Sequence, residues 1–183
     1  LLSHRKTQDP KPGPALYAIR ALAIALSEDT SPAGRLIGSQ VVHPPAIDIG
    51  FAVEVQDGVL VPVLRDVDKT PLAIIVAEYN DLVDLARNRR LSREASRPGI
   101  ATVTNFGTFG IAWATPIPLP EQNLVLGLGM GSKKPEWDEA TASFLPVTEA
   151  EITLSFDHRI LDGGAAGRLL HRVSTLLQAP QDL

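Results

Sequence analysis

One histidine of this sequence lies where a side chain could act on a bound substrate. His158 follows an alternating apolar stretch and precedes two glycines that open a segment of helical period. The carboxylates of Asp157 and Asp162 and the cation of Arg159 lie within four residues of it. Because a neutral imidazole accepts a proton near neutral pH and a carboxylate can orient it, this cluster suits general base catalysis. The spacing alone also fits a buried turn with a structural histidine.

The other three histidines and the lack of cysteine narrow the chemistry. His4 lies near the N-terminus, His43 precedes two prolines, and His171 lies on a predicted helix, so each is expected to be structural or solvated. No two histidines have the spacing of a metal-binding motif, and the sequence contains no Cys. We therefore predict no metal site, no disulfide and no cysteine nucleophile.

The composition is that of one folded domain. Of the 183 residues, 44% are hydrophobic and 21% are charged, which argues against disorder. The net charge of −4 and the lack of a basic block argue against nucleic acid as a partner. The longest apolar stretch, residues 21–26, is far shorter than the roughly 20 residues of a membrane span. No secretory signal opens the sequence, and because no initiator Met is present we expect the sequence to be truncated at the N-terminus.

Three segments have the period of an amphipathic helix. Apolar residues recur every three or four positions at residues 14–26, at residues 71–90 and at residues 164–178. Thr70 is expected to cap the second helix and Pro71 to occupy its first turn.

The segments between the helices are predicted to be strands and loops. Strands are predicted at residues 46–55, 59–64, 100–106, 123–130, 142–147 and 150–157. Asp57-Gly58 predicts a tight hairpin between the first two strands. Residues 27–38 and 107–120 are predicted loops, and residues 133–141 are polar with no predicted strand. Because regular βαβ alternation and a Gly-x-Gly-x-x-Gly turn are both missing, the order favours an α+β fold with a mixed sheet covered by helices.

The segment around His158 resembles a family signature. Residues 155–163, SFDHRILDG, are similar to the D-H-R-x-x-D-G motif of the dihydrolipoyl acyltransferase core domain of 2-oxo-acid dehydrogenase complexes. Residues 48–53 and 58–66 resemble the family's N-I-G-x-A-V and G-L-V-V-P-V-I segments. Residues 102–110 resemble its T-I-S-N-L-G-x-x-G loop, and residues 126–129 resemble its I-L-G-V-G strand. These segments occur in the family's order.

The resemblance implies a fold, a reaction and roles for four residues. The fold is a two-layer mixed sheet covered by helices, like that of chloramphenicol acetyltransferase, and here it would be short at the N-terminus. The reaction is acyl transfer between a dihydrolipoyl thiol and coenzyme A. His158 would be the general base, Asp162 would orient the site through a salt bridge, and the Thr104 hydroxyl would donate to the oxyanion. Asn105, the next residue of the motif, is the candidate cofactor-binding residue.

The resemblance also implies partners. Residues 1–183 would form a single acyltransferase core domain. Lys69 lies before a helix rather than on a hairpin, so we expect it to be solvated and the lipoyl group to come from another domain. In the family the active site is a channel between subunits, with the histidine from one chain and the hydroxyl from its neighbour. A homotrimer, or a cage of trimers, is therefore implied.

The expected partners are the lipoyl domain, the 2-oxo-acid dehydrogenase and dihydrolipoyl dehydrogenase. The expected location is the cytoplasm, or the mitochondrial matrix in a eukaryote.

The sequence leaves two other functions open. A non-catalytic scaffold or dehydrogenase-binding component could have the same fold, and Leu119 stands where the family has Asn. An acetyltransferase acting on a small hydroxylated molecule shares the histidine motif more distantly. The acyl group cannot be read from the sequence.

Overall fold

The computed structural model describes residues 1–120 and 122–183. Its helices, numbered in chain order, are α1 (Leu2–Thr7), α2 (Pro14–Glu28), α3 (Leu72–Arg87) and α4 (Gly163–Gln178). Short 3-10 turns occur at Ser31–Ala33, Phe106–Phe109 and Pro180–Asp182. The strands are β1 (Arg35–Ile37), β2 (Gln40–Val42), β3 (Ile49–Phe51), β4 (Val53–Val55), β5 (Gly58–Leu60), β6 (Val63–Leu64), β7 (Ala101–Asn105), β8 (Leu124–Leu128), β9 (Ser132–Asp138), β10 (Ser143–Glu149) and β11 (Ile152–Phe156).

Five strands form the central mixed sheet, in the order β11-β8-β7-β3-β6. The inner strands β3, β7 and β8 are parallel, and the edge strands β6 and β11 are antiparallel to their neighbours. The remaining strands form three two-stranded ribbons, β1–β2, β4–β5 and β9–β10. The predicted α+β fold with a mixed sheet is confirmed.

The helices cover one face of this sheet. Helix α2 is apolar around most of its circumference, and Leu16, Tyr17, Ile19 and Leu22 on it are essentially inaccessible to solvent. A helix of this kind must be buried on several sides, and α2 contacts α3, α4 and the inner strands. The residues of β3, β7 and β8 that share its core cluster alternate along the chain, and they are Ile49, Phe51, Ala101, Val103, Leu124, Leu126 and Leu128. The intervening residues therefore point to the opposite face.

The prediction of single strands at residues 46–55 and 59–64 is wrong. The first segment is divided into β3 and β4, because the chain leaves the central sheet after Phe51 and pairs next with β5. The second is divided into β5 and β6 at Pro62, which has no N–H to continue a ladder. The turn at Asp57-Gly58 does join β4 to β5 as predicted.

Two polar segments contain strands that the sequence did not predict. Residues 133–141 include most of β9, which pairs with β10 over seven residues. This ribbon is largely exposed on both faces, so its sequence has no apolar alternation to reveal it. The predicted loop at residues 27–38 likewise contains a 3-10 turn and the short strand β1.

The start of α3 differs from the prediction by one residue. Pro71, not Thr70, is the N-cap, and it provides no side-chain acceptor. The Thr70 hydroxyl donates instead to the carbonyl of Asp66, so it closes the preceding turn.

Candidate functional site

His158 lies on a short turn that connects edge strand β11 to helix α4. The turn is closed by the N–H groups of Ile160 and Leu161, which both donate to the carbonyl oxygen of Asp157. The glycines that follow begin α4, so the chain reverses within a few residues and leaves the His158 side chain exposed. The ring of Phe156 lies 5.5 Å from the imidazole, centroid to centroid, with an interplanar angle of 39°. The His158 imidazole is therefore accessible from solvent.

Asp157 and Arg159 brace the turn on either side of His158. The Arg159 guanidinium donates to both carboxylate oxygens of Asp157, at 2.9 Å from Nε and 2.5 Å from Nη2. The backbone N–H of Arg159 also donates to Asp157 Oδ1 at 3.0 Å. These hydrogen bonds, first from the side chain and then from the backbone, lower the pKa of Asp157 to about 2. The carboxylate is therefore ionised and committed to the turn at neutral pH.

Asp162 caps helix α4. Its Oδ1 accepts a hydrogen bond of 2.7 Å from the Ala165 N–H, and this bond is the main cause of a lowered pKa. The ion pairs within residues 1–120 and 122–183 do not include Asp162, so the salt bridge expected of it is not formed within one chain. Its carboxylate instead fixes where α4 begins, and therefore where the His158 turn ends.

Thr104 and Asn105 lie at the carboxyl end of β7, on the other candidate segment. Both are half-buried, and Thr104 is in register with Gly127 of β8. A Cβ on Gly127 would lie 2.6 Å from the Phe106 ring, so this glycine allows the turn after Asn105 to fold over β8. The Thr108 hydroxyl donates to the Asn105 carbonyl and closes that turn.

A cleft of about 740 Å³ opens beside this turn. Asn105, Gly107 and Thr108 line one side of it, and the residues around Leu128 and Ile152 line another. Its volume is in the range of a small-molecule site. Asn105, the candidate cofactor-binding residue, thus borders a cavity large enough for the end of a substrate.

One chain does not bring His158 and Thr104 together. Thr104 is level with Gly127, and Gly127 is level with Thr153, which lies five residues before His158 on the antiparallel strand β11. At about 3.3 Å per residue and about 4.8 Å between strands, the two residues are roughly 15–20 Å apart. The two candidate segments therefore lie at opposite ends of the same sheet.

Sequence reasoning missed Asn123, which contacts the His158 turn directly. It lies immediately before β8, is 1% exposed, and its side-chain oxygen accepts a hydrogen bond of 2.8 Å from the Asp157 N–H. The sequence feature that could have indicated this role is a polar residue at the start of the apolar segment 123–130. The sequence analysis interpreted that segment only as a strand.

The remaining expectations concern isolated residues. His4 Nδ1 is 3.0 Å from the Tyr17 hydroxyl, and His43 Nδ1 is 3.1 Å from the Thr30 carbonyl. Lys69 is exposed and paired with Asp66 at 2.8 Å. Within the described residues, no three His, Cys, Asp or Glu side chains are grouped as metal ligands. No helix in that part of the chain has the length and apolar character to cross a membrane.

Sequence comparison finds relatives of one type. Residues 1–183 match the model of the family described as 2-oxoacid dehydrogenases acyltransferase (catalytic domain). The chain is 39% identical over 140 residues to the dihydrolipoyllysine-residue acetyltransferase component of the pyruvate dehydrogenase complex of Pseudomonas aeruginosa, covering 76% of this chain and 25% of that protein. It is 34% identical over 168 residues to the corresponding succinyltransferase component of the 2-oxoglutarate dehydrogenase complex of Staphylococcus aureus, covering 91% and 39%. It thus spans well under half the length of these relatives.

Solved structures of acyltransferases are also similar to this chain. The Azotobacter vinelandii dihydrolipoamide acetyltransferase superimposes with a TM-score of 0.90 at 30% identity, over 96% of this chain and 75% of that one. That structure was used to investigate the catalytic role of a serine, a histidine and an asparagine. The cubic core of a pyruvate dehydrogenase multienzyme complex gives 0.89 at 31% identity, with the same coverage. A chloramphenicol acetyltransferase, at 11% identity and a TM-score of 0.58, shares the fold.

Proposed function

Because the chain belongs to the family of 2-oxoacid dehydrogenase acyltransferase catalytic domains, we propose that it transfers an acyl group between a dihydrolipoyl thiol and coenzyme A. The observation that carries the proposal is the exposed His158 on the braced turn between β11 and α4. A pure scaffold has no need of an accessible imidazole supported in this way.

His158 acts in this proposal as the general base. A free thiol has a pKa of about 8.5, so it is mostly protonated at pH 7, whereas the nucleophile is the thiolate. The neutral imidazole takes the thiol proton as the sulfur attacks the thioester carbonyl, and a tetrahedral intermediate forms. When the intermediate collapses, the bond to the other sulfur breaks and the imidazolium returns the proton to that leaving thiolate. One thioester replaces another, and no covalent bond to the enzyme is needed.

Thr104 stabilises the intermediate. The carbonyl oxygen becomes negative as the carbon turns tetrahedral, and a hydroxyl that donates to it lowers the barrier. In the Azotobacter relative a serine and a histidine were investigated for their role in the catalytic mechanism. In that relative the serine precedes the histidine by 52 residues. Thr104 precedes His158 by 54, and it has the same hydroxyl chemistry.

The active site is formed by two chains. Since His158 and Thr104 of one chain lie at opposite ends of the sheet, the base of one subunit must meet the hydroxyl of another for both to act on one substrate. A homotrimer fits the family resemblance. The cubic core formed by a relative suggests that such trimers assemble further. Asn105 would contact coenzyme A or the lipoyl arm in the cleft beside it.

Asp162 shapes the turn rather than reacting. The Azotobacter relative has the investigated asparagine four residues after its histidine, the same spacing as from His158 to Asp162. Asparagine and aspartate both cap helices through a side-chain oxygen. Either residue could therefore cap α4 at this position.

The wider context is part of the same proposal. The lipoyl group would be carried by a separate domain and loaded by a 2-oxo-acid dehydrogenase, and dihydrolipoyl dehydrogenase would reoxidise it. The location would be the cytoplasm, or the mitochondrial matrix in a eukaryote. A chain without cysteine fits such a reducing compartment.

The test is direct assay of acyl transfer. The protein is mixed with dihydrolipoamide and either acetyl-CoA or succinyl-CoA, and acyl-dihydrolipoamide is followed beside a His158→Ala variant. We expect turnover that falls by about 10²–10⁴-fold in the variant, the usual contribution of a general base. Turnover unaffected by the substitution would refute the role of His158. No turnover from a folded oligomer with any acyl-CoA would refute the enzyme and favour a scaffold.

A further inference from the structure

Asn123 joins the His158 turn to a distant part of the chain. Its backbone oxygen and its Oδ1 both accept from the Asp157 N–H, at 3.1 Å and 2.8 Å. Its Nδ2 donates to the carbonyl of Pro32, at 2.9 Å, in the 3-10 turn between α2 and β1. The Asn123 side chain is therefore bonded to one residue 91 positions before it in the sequence and to another 34 positions after it.

A buried amide such as that of Asn123, which is 1% exposed, destabilises the folded state unless its hydrogen-bonding groups have partners. The oxygen and the nitrogen of the Asn123 amide both have hydrogen-bond partners, so its burial is tolerated. An apolar residue would fill this position, just before a buried strand, equally well. Leu124 and Leu126, the next core residues along β8, are apolar.

The bonded N–H belongs to the residue immediately before His158. The turn is also held by the Asp157 carbonyl and the Arg159 guanidinium, but both of those contacts lie within the turn itself. The Asn123 contacts tie the turn to the sheet at β8 and to the Pro32 segment, both outside it. They fix the position of the turn as a whole.

We propose that Asn123 is a positioning residue, which acts through Asp157 to hold the His158 imidazole in the position where it can accept the proton of the substrate thiol. The inference rests on the proposed acyl transfer. Reacting groups must be held within a fraction of an ångström, and a displacement of about 1 Å can cost about 10²-fold in rate. Loss of the amide lets the turn move without disturbing either substrate pocket, so kcat falls while KM changes little.

Two substitutions separate the contacts. Asn123→Leu has a similar shape and removes both side-chain bonds. Asn123→Asp keeps an acceptor for the Asp157 N–H but cannot donate to Pro32. We expect kcat to fall roughly 10–100-fold in Asn123→Leu and by less in Asn123→Asp, with KM for both thiol substrates within about threefold. Asn80→Ala, at an exposed position of α3, is the matched control and should match the wild type.

A double-mutant cycle with His158→Ala distinguishes positioning from general damage. If Asn123 acts through His158, Asn123→Leu has no further effect on the residual rate of His158→Ala. If the two losses multiply, the inference is wrong. Amide hydrogen exchange gives a second readout, because the Asp157 N–H should exchange faster in Asn123→Leu than in the wild type or in Asn80→Ala.

A failure of the role proposed for Asn123 can be distinguished from a failure of the proposed acyl transfer. An inactive wild type would overturn the acyl transfer itself. Full activity of Asn123→Leu beside an inactive His158→Ala would overturn only the role of Asn123. If Asn123→Leu fails to fold, Asn123→Ala, which also removes both side-chain bonds, decides the question, since unchanged kcat and unchanged Asp157 exchange in that variant would refute it.

Discussion

His158 and Thr104 are separated by roughly 15–20 Å within one chain, given the register of β7, β8 and β11 and the usual spacing of residues and strands. The separation follows from strand direction. Thr104 lies near the carboxyl end of a strand that runs parallel to β8, whereas His158 follows a strand that runs antiparallel to it. The two side chains therefore leave the sheet at opposite ends, and no change of rotamer can bring them within hydrogen-bond distance.

This separation predicts that two inactive variants restore each other. His158→Ala keeps the hydroxyl and Thr104→Val keeps the base, so a mixed oligomer contains some sites with both. With random mixing in equal amounts, about a quarter of the sites in a symmetric ring are intact, because each neighbour supplies the right residue half the time. Co-expression followed by assay of acyl transfer should recover that fraction of wild-type activity.

As the control, each variant is expressed alone and should show only its own residual rate. If the mixed oligomer has no more activity than the separate variants, the two-chain site is refuted. The variants must first be shown to form the same oligomer as the wild type by sedimentation.

Thr104 is expected to act through its hydroxyl alone. Thr104→Ser keeps the hydroxyl and should retain activity within severalfold, whereas Thr104→Val keeps the shape and should lose about 10²–10³-fold in kcat, the usual cost of one oxyanion donor. The loss should fall on kcat rather than KM, since the oxyanion exists only in the transition state. Equal activity of Thr104→Val and Thr104→Ser would make Thr104 an ordinary strand residue.

Short sequence patterns predicted those parts of the fold that are determined by neighbouring residues. The end of β11, the glycines that start α4 and the periodic core of α2 were all expected from their sequences. The division of residues 46–55 was not, because it depends on a change of strand partner after Phe51 that no short window records.

The site was predictable in its parts but not in its assembly. His158 and Thr104 belong to recognisable segments, yet their separation depends on the register of three strands distant in sequence. Asn123 was missed because its two partners, Pro32 and Asp157, are remote along the chain. No pattern of neighbouring residues predicts such a bridge.

Asp162 is expected to need an oxygen acceptor rather than a charge. Asp162→Asn keeps a side-chain oxygen for the Ala165 N–H, so activity and stability should both be largely retained. Asp162→Ala loses the cap, and the free energy of unfolding should fall by about 0.5–2 kcal/mol. Urea denaturation and the acyl-transfer assay measure the two effects. A stable but inactive Asp162→Asn would show that the carboxylate charge is required.

The ion pair between Asp157 and Arg159, which flank His158 in the sequence, gives the turn a defined response to acid. Arg159 lowers the pKa of Asp157 to about 2 in the folded protein, against 3.8 ordinarily. Because the folded pKa is the lower one, the stabilisation is fully present above about pH 5 and is lost as the pH falls from about 4 towards 2. In Arg159→Gln the pKa of Asp157 should return towards its ordinary value, and the stability difference from the wild type should disappear at low pH. NMR titration of the Asp157 carboxyl carbon measures the shift, with the exposed Arg93→Gln as control. An Asp157 pKa unchanged by Arg159→Gln would show that the pair does not hold the turn.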